Sequence, residues 1–192
     1  MTVVRAARSA LAAGLMLGLT ACAGGAVTMV DYPAYETVGD LAAVADVVVQ
    51  GVVLDERTED IVTLMDSTSD DPNLNPQAGL PDDDDPPEPP AEPFLVYRIE
   101  VGTDFTGALR PGDVIEVKVW LRETSEPEPR LAVGDEYLLF LSEAYGGGIP
   151  RSLLNPDQAA YRVEADGTFS TLRPDSTIAL NVTRADLDGL AD

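Results

Sequence analysis

The sequence predicts an all-β fold with short flanking helices and a long acidic loop. Three observations lead there. Apolar and polar residues alternate along Leu95–Val101 and Ile115–Leu121, the period of a strand with one buried and one wetter face. Tyr137-Leu138-Leu139-Phe140-Leu141 is apolar throughout, as expected of a central strand covered on both faces. From Thr58 to Tyr97 there is no basic residue, and eight of the 15 prolines fall between Pro72 and Pro93 around Asp82-Asp83-Asp84-Asp85. Proline lacks the ladder N–H and like charges repel, so an insert at about 66–93 is expected to be disordered.

The chain opens with Arg5 and Arg8 ahead of an apolar run from Leu11 to Leu19, the layout of a bacterial secretory leader. Leu19-Thr20-Ala21-Cys22 closes that run and holds the one cysteine. These four residues resemble the lipobox of bacterial lipoproteins. The resemblance implies a leader at 1–21, removal after Ala21, and a diacylglycerol on the Cys22 thiol. Two or more acyl chains, at about 0.8 kcal/mol per buried methylene, hold a protein at a membrane where one chain holds it marginally. Residues 22–36 would then be a lipidated tether, starting with the small residues Ala23-Gly24-Gly25-Ala26. Two other readings stay open. Ala21-Cys22-Ala23 also suits a small-x-small cleavage site that releases a soluble protein. Ser9 to Val30 carries no charge and reaches bilayer-spanning length, so the leader could remain as an anchor.

Removing 1–21 takes two arginines from the 12 basic residues and none of the 34 acids, leaving 10 against 34, a net charge of −24. Such a surface is soluble and repels phosphate backbones, so nucleic acid is not an expected partner. One cysteine excludes an intrachain disulfide. The absence of histidine excludes Ser-His-Asp and Cys-His catalysis and any histidine metal site.

Thr37 and Asp40 have N-cap spacing, and Val38, Leu41, Ala42 and Ala45 fall on one helical face expected to pack on the sheet. Val47-Val48-Val49 and Val52-Val53-Leu54 flank Gln50-Gly51, a strand with a bulge or bend at the glycine. Asp55–Leu64 and the strand from Phe94 are expected to pair as a long hairpin with the acidic insert at its tip. Leu109-Arg110-Pro111-Gly112-Asp113 and Leu131-Ala132-Val133-Gly134-Asp135 repeat one turn chemistry, each with a leucine plug. Tyr161 and Val163 begin a hairpin that turns at Asp166-Gly167 toward Phe169. Thr183 and Asp186 repeat the capping pattern before a short helix over 185–190.

Candidate chemistry is sparse. Clustered carboxylates in the insert suit calcium, but the EF-hand spacing with its glycine and distal glutamate is missing, so no metal site is assigned. Gly146-Gly147-Gly148 lacks the lysine of a phosphate loop and reads as a flexible loop. A Ser-Lys dyad would need Lys118, the one lysine, expected mid-strand among surface charges. No spacing singles out a pair of acids for glycoside hydrolysis. No cofactor is expected and no catalytic residue is assigned; Cys22, as the lipidation site, is the one site residue.

The order of helix, Val-rich strand, Phe94-to-Val101 strand, Pro111-Gly112-Asp113 turn, Val114-to-Val119 strand and Val133-to-Leu141 strand is similar to a group of secreted, mainly actinobacterial proteins with an OB-like small barrel. The likeness spans about residues 37–170 and rests on turns and strands, so no functional residue carries over. It implies a five- or six-stranded Greek-key barrel over 37–192 as a single domain, with a β-sandwich as the alternative. The function expected is that of a membrane-anchored extracytoplasmic lipoprotein, a non-enzymatic module binding an envelope protein or surface ligand. The competing class is a carboxylate-dependent extracytoplasmic hydrolase.

Overall fold

A computed structural model describes residues 32–62, 91–121, 128–143 and 149–190. The leader with Cys22, the acidic insert with its calcium reading, and Gly146–Gly148 lie outside the described residues. The elements run α1 (Val38–Val44), β1 (Val47–Val62), β2 (Ala91–Asp104), β3 (Val114–Trp120), β4 (Glu136–Leu141), β5 (Arg151–Ser152), β6 (Ala160–Val163), β7 (Phe169–Thr171) and α2 (Arg184–Asp188). They form one sheet in the order β5-β3-β2-β1-β4-β6-β7, with β3 and β5 parallel and the other pairs antiparallel.

The fold is all-β, as the alternation predicts. The sheet has seven strands rather than five or six, because the two residues of β5 are too few to show a period. No ladder of strands closes it on itself among the described residues. Instead, Leu153 just after β5 makes an isolated antiparallel bridge to Leu141. Ser142 N donates to Ser152 O at 2.9 Å and Leu154 N donates to Phe140 O at 3.2 Å beside it.

The long hairpin is present: β1 and β2 pair from Val49↔Asp104 to Val62↔Ala91. Ala91, Glu92 and Pro93 therefore belong to β2 and not to the insert, and the proline density misplaces that boundary. Pro93 lies just past the paired residues of β3, where the ladder ends, and its carbonyl accepts Leu121 N at 3.2 Å. At Gly51 the β1–β2 register shifts. A Cβ there would lie 2.5 Å from Glu100 O and 2.8 Å from Ile99 Cγ2, so the glycine is required for close approach of the two backbones.

The main core sits on the face carrying Tyr97, Ile99, Val101, Val117 and Val119, with β4 buried on both sides through Tyr137–Leu141. Helix α1 closes it with Val38 and Leu41, and α2 with Leu187. Both helices start as their capping residues dictate. Thr37 accepts from Asp40 N, and Thr183 and Asp186 form the reciprocal capping box.

The two Gly-Asp turns are built alike. Asp113 N donates to Arg110 O and Asp135 N to Ala132 O, at 3.0 and 3.2 Å. Gly112 and Gly134 have φ of +89° and +90°, as a type II turn needs at its third residue. Gly112 N donates to Val101 O and Gly134 N to Val53 O, both at 2.8 Å. Val101 N and Val53 N answer to Asp113 O and Asp135 O. Each turn thus closes a neighbouring strand, while Leu109 and Leu131 plug the core beside it.

Candidate functional site

The described chain begins ten residues after Cys22 with a segment bound tightly to the domain. Tyr32 donates its hydroxyl to Glu128 Oε1 at 2.7 Å, and the other Glu128 oxygen accepts Trp120 N at 2.7 Å. Asn155 Nδ2 donates to Pro33 O at 2.9 Å. Gln158, fully buried, accepts from Tyr35 N through Oε1 and donates through Nε2 to Tyr35 O and Ile178 O. All the polar atoms of that amide are used, which is what its burial requires. A shallow groove of about 480 Å³ lies between Ala34–Glu36 and Thr177–Leu180. These bonds fix where the chain from Cys22 enters the domain. Burial, with the Glu128 charge and bond added, pushes the Tyr32 hydroxyl well above its ordinary value.

The second feature is the distal half of the β1–β2 hairpin, on the face away from the main core. Alternation placed a wetter row there, and the structure divides it in two. Nearer the turns, Arg98 pairs with Asp55 at 2.8 Å, and Arg57 pairs with Glu116 at 2.8 Å and Glu59 at 2.7 Å. The bonds to Glu116 and Glu59 hold the Arg57 guanidinium above its ordinary range. These pairs are more than a third exposed, so each adds little to stability. Further out, Phe94, Val96 and Ile61 are buried, with Trp120 and Ile149 packed against them. Phe94 and Trp120 are tilted at 32° with centroids 6.0 Å apart.

Lys118 belongs to this second cluster and corrects the expectation of a lysine among surface charges. It is 6% exposed, with its ammonium 5.0 Å from the Phe94 ring centroid. Burial lowers its pKa, and the Glu128 charge only partly opposes this. The strand alternation put Lys118 on the wetter face, and only the apolar Phe94 and Val96 on that same face hinted otherwise. Ser152 stands beside Lys118 in register. The ammonium leans the other way, over β2, and no hydrogen bond joins Lys118 to Ser152, so the geometry does not assemble a Ser-Lys dyad.

The carboxyls whose titration is displaced serve turns and caps. Burial pushes Asp104 up, but bonds from Thr106, Leu109 and Ala108 outweigh it and hold it below its ordinary value. Thr168 holds Asp166 down in the β6–β7 turn, and Thr183 holds Asp186 down in the α2 cap. Two carboxyls in unlike environments, the arrangement that acid-base hydrolysis uses, are not brought together by these groups. Among the described residues no three metal-ligating side chains cluster. Among them also, no helix is long and apolar enough to cross a membrane. Cys22, the site residue named from sequence, lies outside the described residues, and no described group stands in for it. Scanning family models, curated proteins and solved structures returns no match to this chain.

Proposed function

We propose that this chain is an extracytoplasmic lipoprotein, anchored through acyl chains on Cys22, whose domain binds an envelope protein without catalysing a reaction. The observation that carries the binding half is the hairpin arm. Strands β1 and β2 continue together for about nine residues beyond Val52, the last residue of β1 paired with β4. The outer half of β1 contributes only Ile61 to a buried cluster and otherwise presents charged and polar side chains and the exposed Val62 to solvent. An element of that length which adds little to the core is suited to recognition. The lipobox-like Leu19-Thr20-Ala21-Cys22 supports the anchor. Tyr32, ten residues on, would be held within about 35 Å of the lipid at full extension of the chain.

The domain itself we take as an OB-like small barrel with β6 and β7 added. Parallel pairing of β5 with β3, together with the Leu141–Leu153 bridge, supports a ring β1-β2-β3-β5-β4, partly open at the short β5. The test of the anchor is metabolic labelling with a fatty acid in a bacterial host. Wild type should take up label and sediment with membranes, and Cys22→Ser should do neither. Label retained by Cys22→Ser would overturn the anchor.

A further inference from the structure

The free edge of β1 identifies the part of the arm that would do the binding; the inference rests on the binding reading above. Strand β1 is paired with β2 along its outer length, but with β4 only over Val47–Val52. The turn at Gly134-Asp135 then satisfies both backbone groups of Val53. From Leu54 to Val62 no described strand or backbone group bonds that side of β1. In an antiparallel ladder every second residue directs its N–H and C=O away from its partner. Among the described residues the edge therefore offers a row of unpaired donors and acceptors roughly 30 Å long, at about 3.4 Å per residue.

The side chains say what could lie against it. Leu54 and Val62 are 38% and 37% exposed, with Glu56, Thr58 and Asp60 exposed between them. Glu56, Thr58, Asp60 and Val62 alternate along one face of β1, and Leu54 stands at the register shift between Val53 and Asp55. Arg57, the only basic residue of the edge, is spent on Glu59 and Glu116. No ion pair engages Glu56 or Asp60 among the described residues. The sequence beyond is more acidic still, with eleven acids and no basic residue from Thr58 to Tyr97. A second copy of this edge would set like charges opposite one another, which destabilises pairing and guards against self-association.

We infer that the edge from Leu54 to Val62 receives an extended, basic segment of a partner polypeptide as an added strand. Its main chain would complete the ladder. Its Lys or Arg side chains, four residues apart, would face Glu56 and Asp60, and an apolar side chain two residues on would cover Val62. The order acid-Thr-acid over Glu56, Thr58 and Asp60 reads the same in both directions, so a parallel or an antiparallel strand meets the same charge pattern. This is strand addition, in which main-chain bonds supply affinity and alternate side chains supply specificity.

The experiment uses the mature chain and a fluorescent peptide in which Thr alternates with Val, Lys, Thr, Lys and Val, followed by polarisation in about 150 mM salt, where distant charges are screened. Three comparisons accompany it: the peptide with both lysines moved to adjacent positions, the peptide N-methylated at alternate amides in either register, and its Glu-for-Lys counterpart. The expected result is saturable binding of the first peptide. Binding should weaken about tenfold or more when the lysines are moved, and likewise in one N-methylated register, because one register removes the ladder donors and the other leaves them. Glu56→Lys with Asp60→Lys should exchange the preference, losing the Lys peptide and gaining the Glu peptide. These positions are exposed, and unchanged circular dichroism would show that the fold is intact. Equal binding of all the Lys peptides would reduce the effect to nonspecific charge and overturn the added strand. No binding by wild type at about 1 mM peptide, below any useful affinity, would also overturn it. Wild-type dimerisation abolished by the double substitution would assign the edge to a second copy instead. None of these failures touches Cys22 labelling, so the anchored reading stands or falls separately.

Discussion

The ammonium of Lys118 stands 5.0 Å from the ring centroid of Phe94, in a cluster otherwise built from Ile61, Val96, Trp120 and Ile149. The contact with the ring face offsets part of the cost of burying the charge. Glu128, held by Tyr32 and Trp120 N, supplies the opposing charge. The long stem of Lys118 also fills space, as such side chains do when the head is the only polar part.

Replacing Lys118 by Met keeps the stem and removes the buried charge. Stability at pH 7 should stay within about 1 kcal/mol of wild type or rise, since apolar replacement of buried charge is often neutral or better. Lys118→Ala should be worse than Lys118→Met, because it also opens space beneath Phe94. The pH dependence has a definite sign. A lysine depressed by burial binds its proton less readily in the folded chain. Between that depressed value and the unfolded value near 10.4, the unfolded chain holds more protons, so this group's contribution improves as pH rises. Any advantage of Lys118→Met should therefore shrink as urea melts are moved from pH 7 toward pH 10. An advantage that grows with pH would contradict the assignment.

Two glycine substitutions should fail for different reasons. In Gly51→Ala the new Cβ meets Glu100 O at 2.5 Å, a backbone atom that cannot swing aside. The cost should be about 1–3 kcal/mol, the range of overpacked sites. In Gly134→Ala nothing lies within 4 Å of the new Cβ, and only the φ of +90° opposes it. Backbone strain of about 1–2 kcal/mol should follow there. Asn, which tolerates positive φ, should recover part of the loss at Gly134 and none at Gly51. Thermal melts of the four variants separate the two mechanisms.

Much of this architecture was legible in the chain because its period and punctuation agree. Alternation located β2 and β3, the unbroken apolar run located β4, and the Gly-Asp pairs located both turns that close them. Capping pairs at Thr37 and Thr183 set the helix starts. What was not legible depends on contacts between distant segments. Nothing local in Arg151-Ser152 marks a strand; it becomes one because β3 lies alongside. Lys118 reads as exposed by period, and its burial comes from the Phe94 cluster and from Glu128 beyond the strand. The hairpin flank over Asp55–Leu64 was legible as the partner of the strand from Phe94, but local alternation alone marks β1 only to about Asp55, since Glu56, Thr58 and Asp60 are charged or polar. The edge proposed for binding was hidden for the same reason: a free edge is a property of which neighbour stops where.

Raising the pH above 10 should destabilise the domain through buried Tyr97 and Tyr161 and half-buried Tyr32. Burial pushes Tyr161 up, and the Leu180 backbone softens this without reaching hydrogen-bonding geometry. Burial likewise raises Tyr97, against a bond from Leu131 N. Tyr32 is raised by burial and then by Glu128. A tyrosine raised in the folded state keeps its full contribution to stability below the unfolded value near 10. Above it the unfolded chain ionises first, so stability is lost as pH climbs toward the folded values. At pH 11 the loss is about 1.4 kcal/mol for Tyr161, which the fold keeps neutral there, and Tyr97 and Tyr32 add to it in the same direction. Denaturant melts at pH 8 and pH 11 check this. Tyr32→Phe should be less stable than wild type at pH 8, where its bond to Glu128 is missing, yet lose less between the two pH values.

The deepest consequence of the sheet order concerns β4, which lies between β1 and β6 and is buried on both faces. Leu139 pairs with Val49 on one side and Ala160 on the other, and it is fully buried. Truncation to Ala removes its transfer energy and leaves a cavity that flanking strands cannot collapse to fill, so Leu139→Ala should cost about 2–5 kcal/mol. Leu54 provides the control within the same sheet. It lies on β1 beyond the β4 ladder and is 38% exposed. Leu54→Ala should change stability by no more than about 0.5 kcal/mol. If both substitutions cost the same in urea melts, β4 is not the centre of the core. Comparable losses of several kcal/mol would further mean that Leu54 is covered in the free chain, and the open edge of β1 would lose its basis.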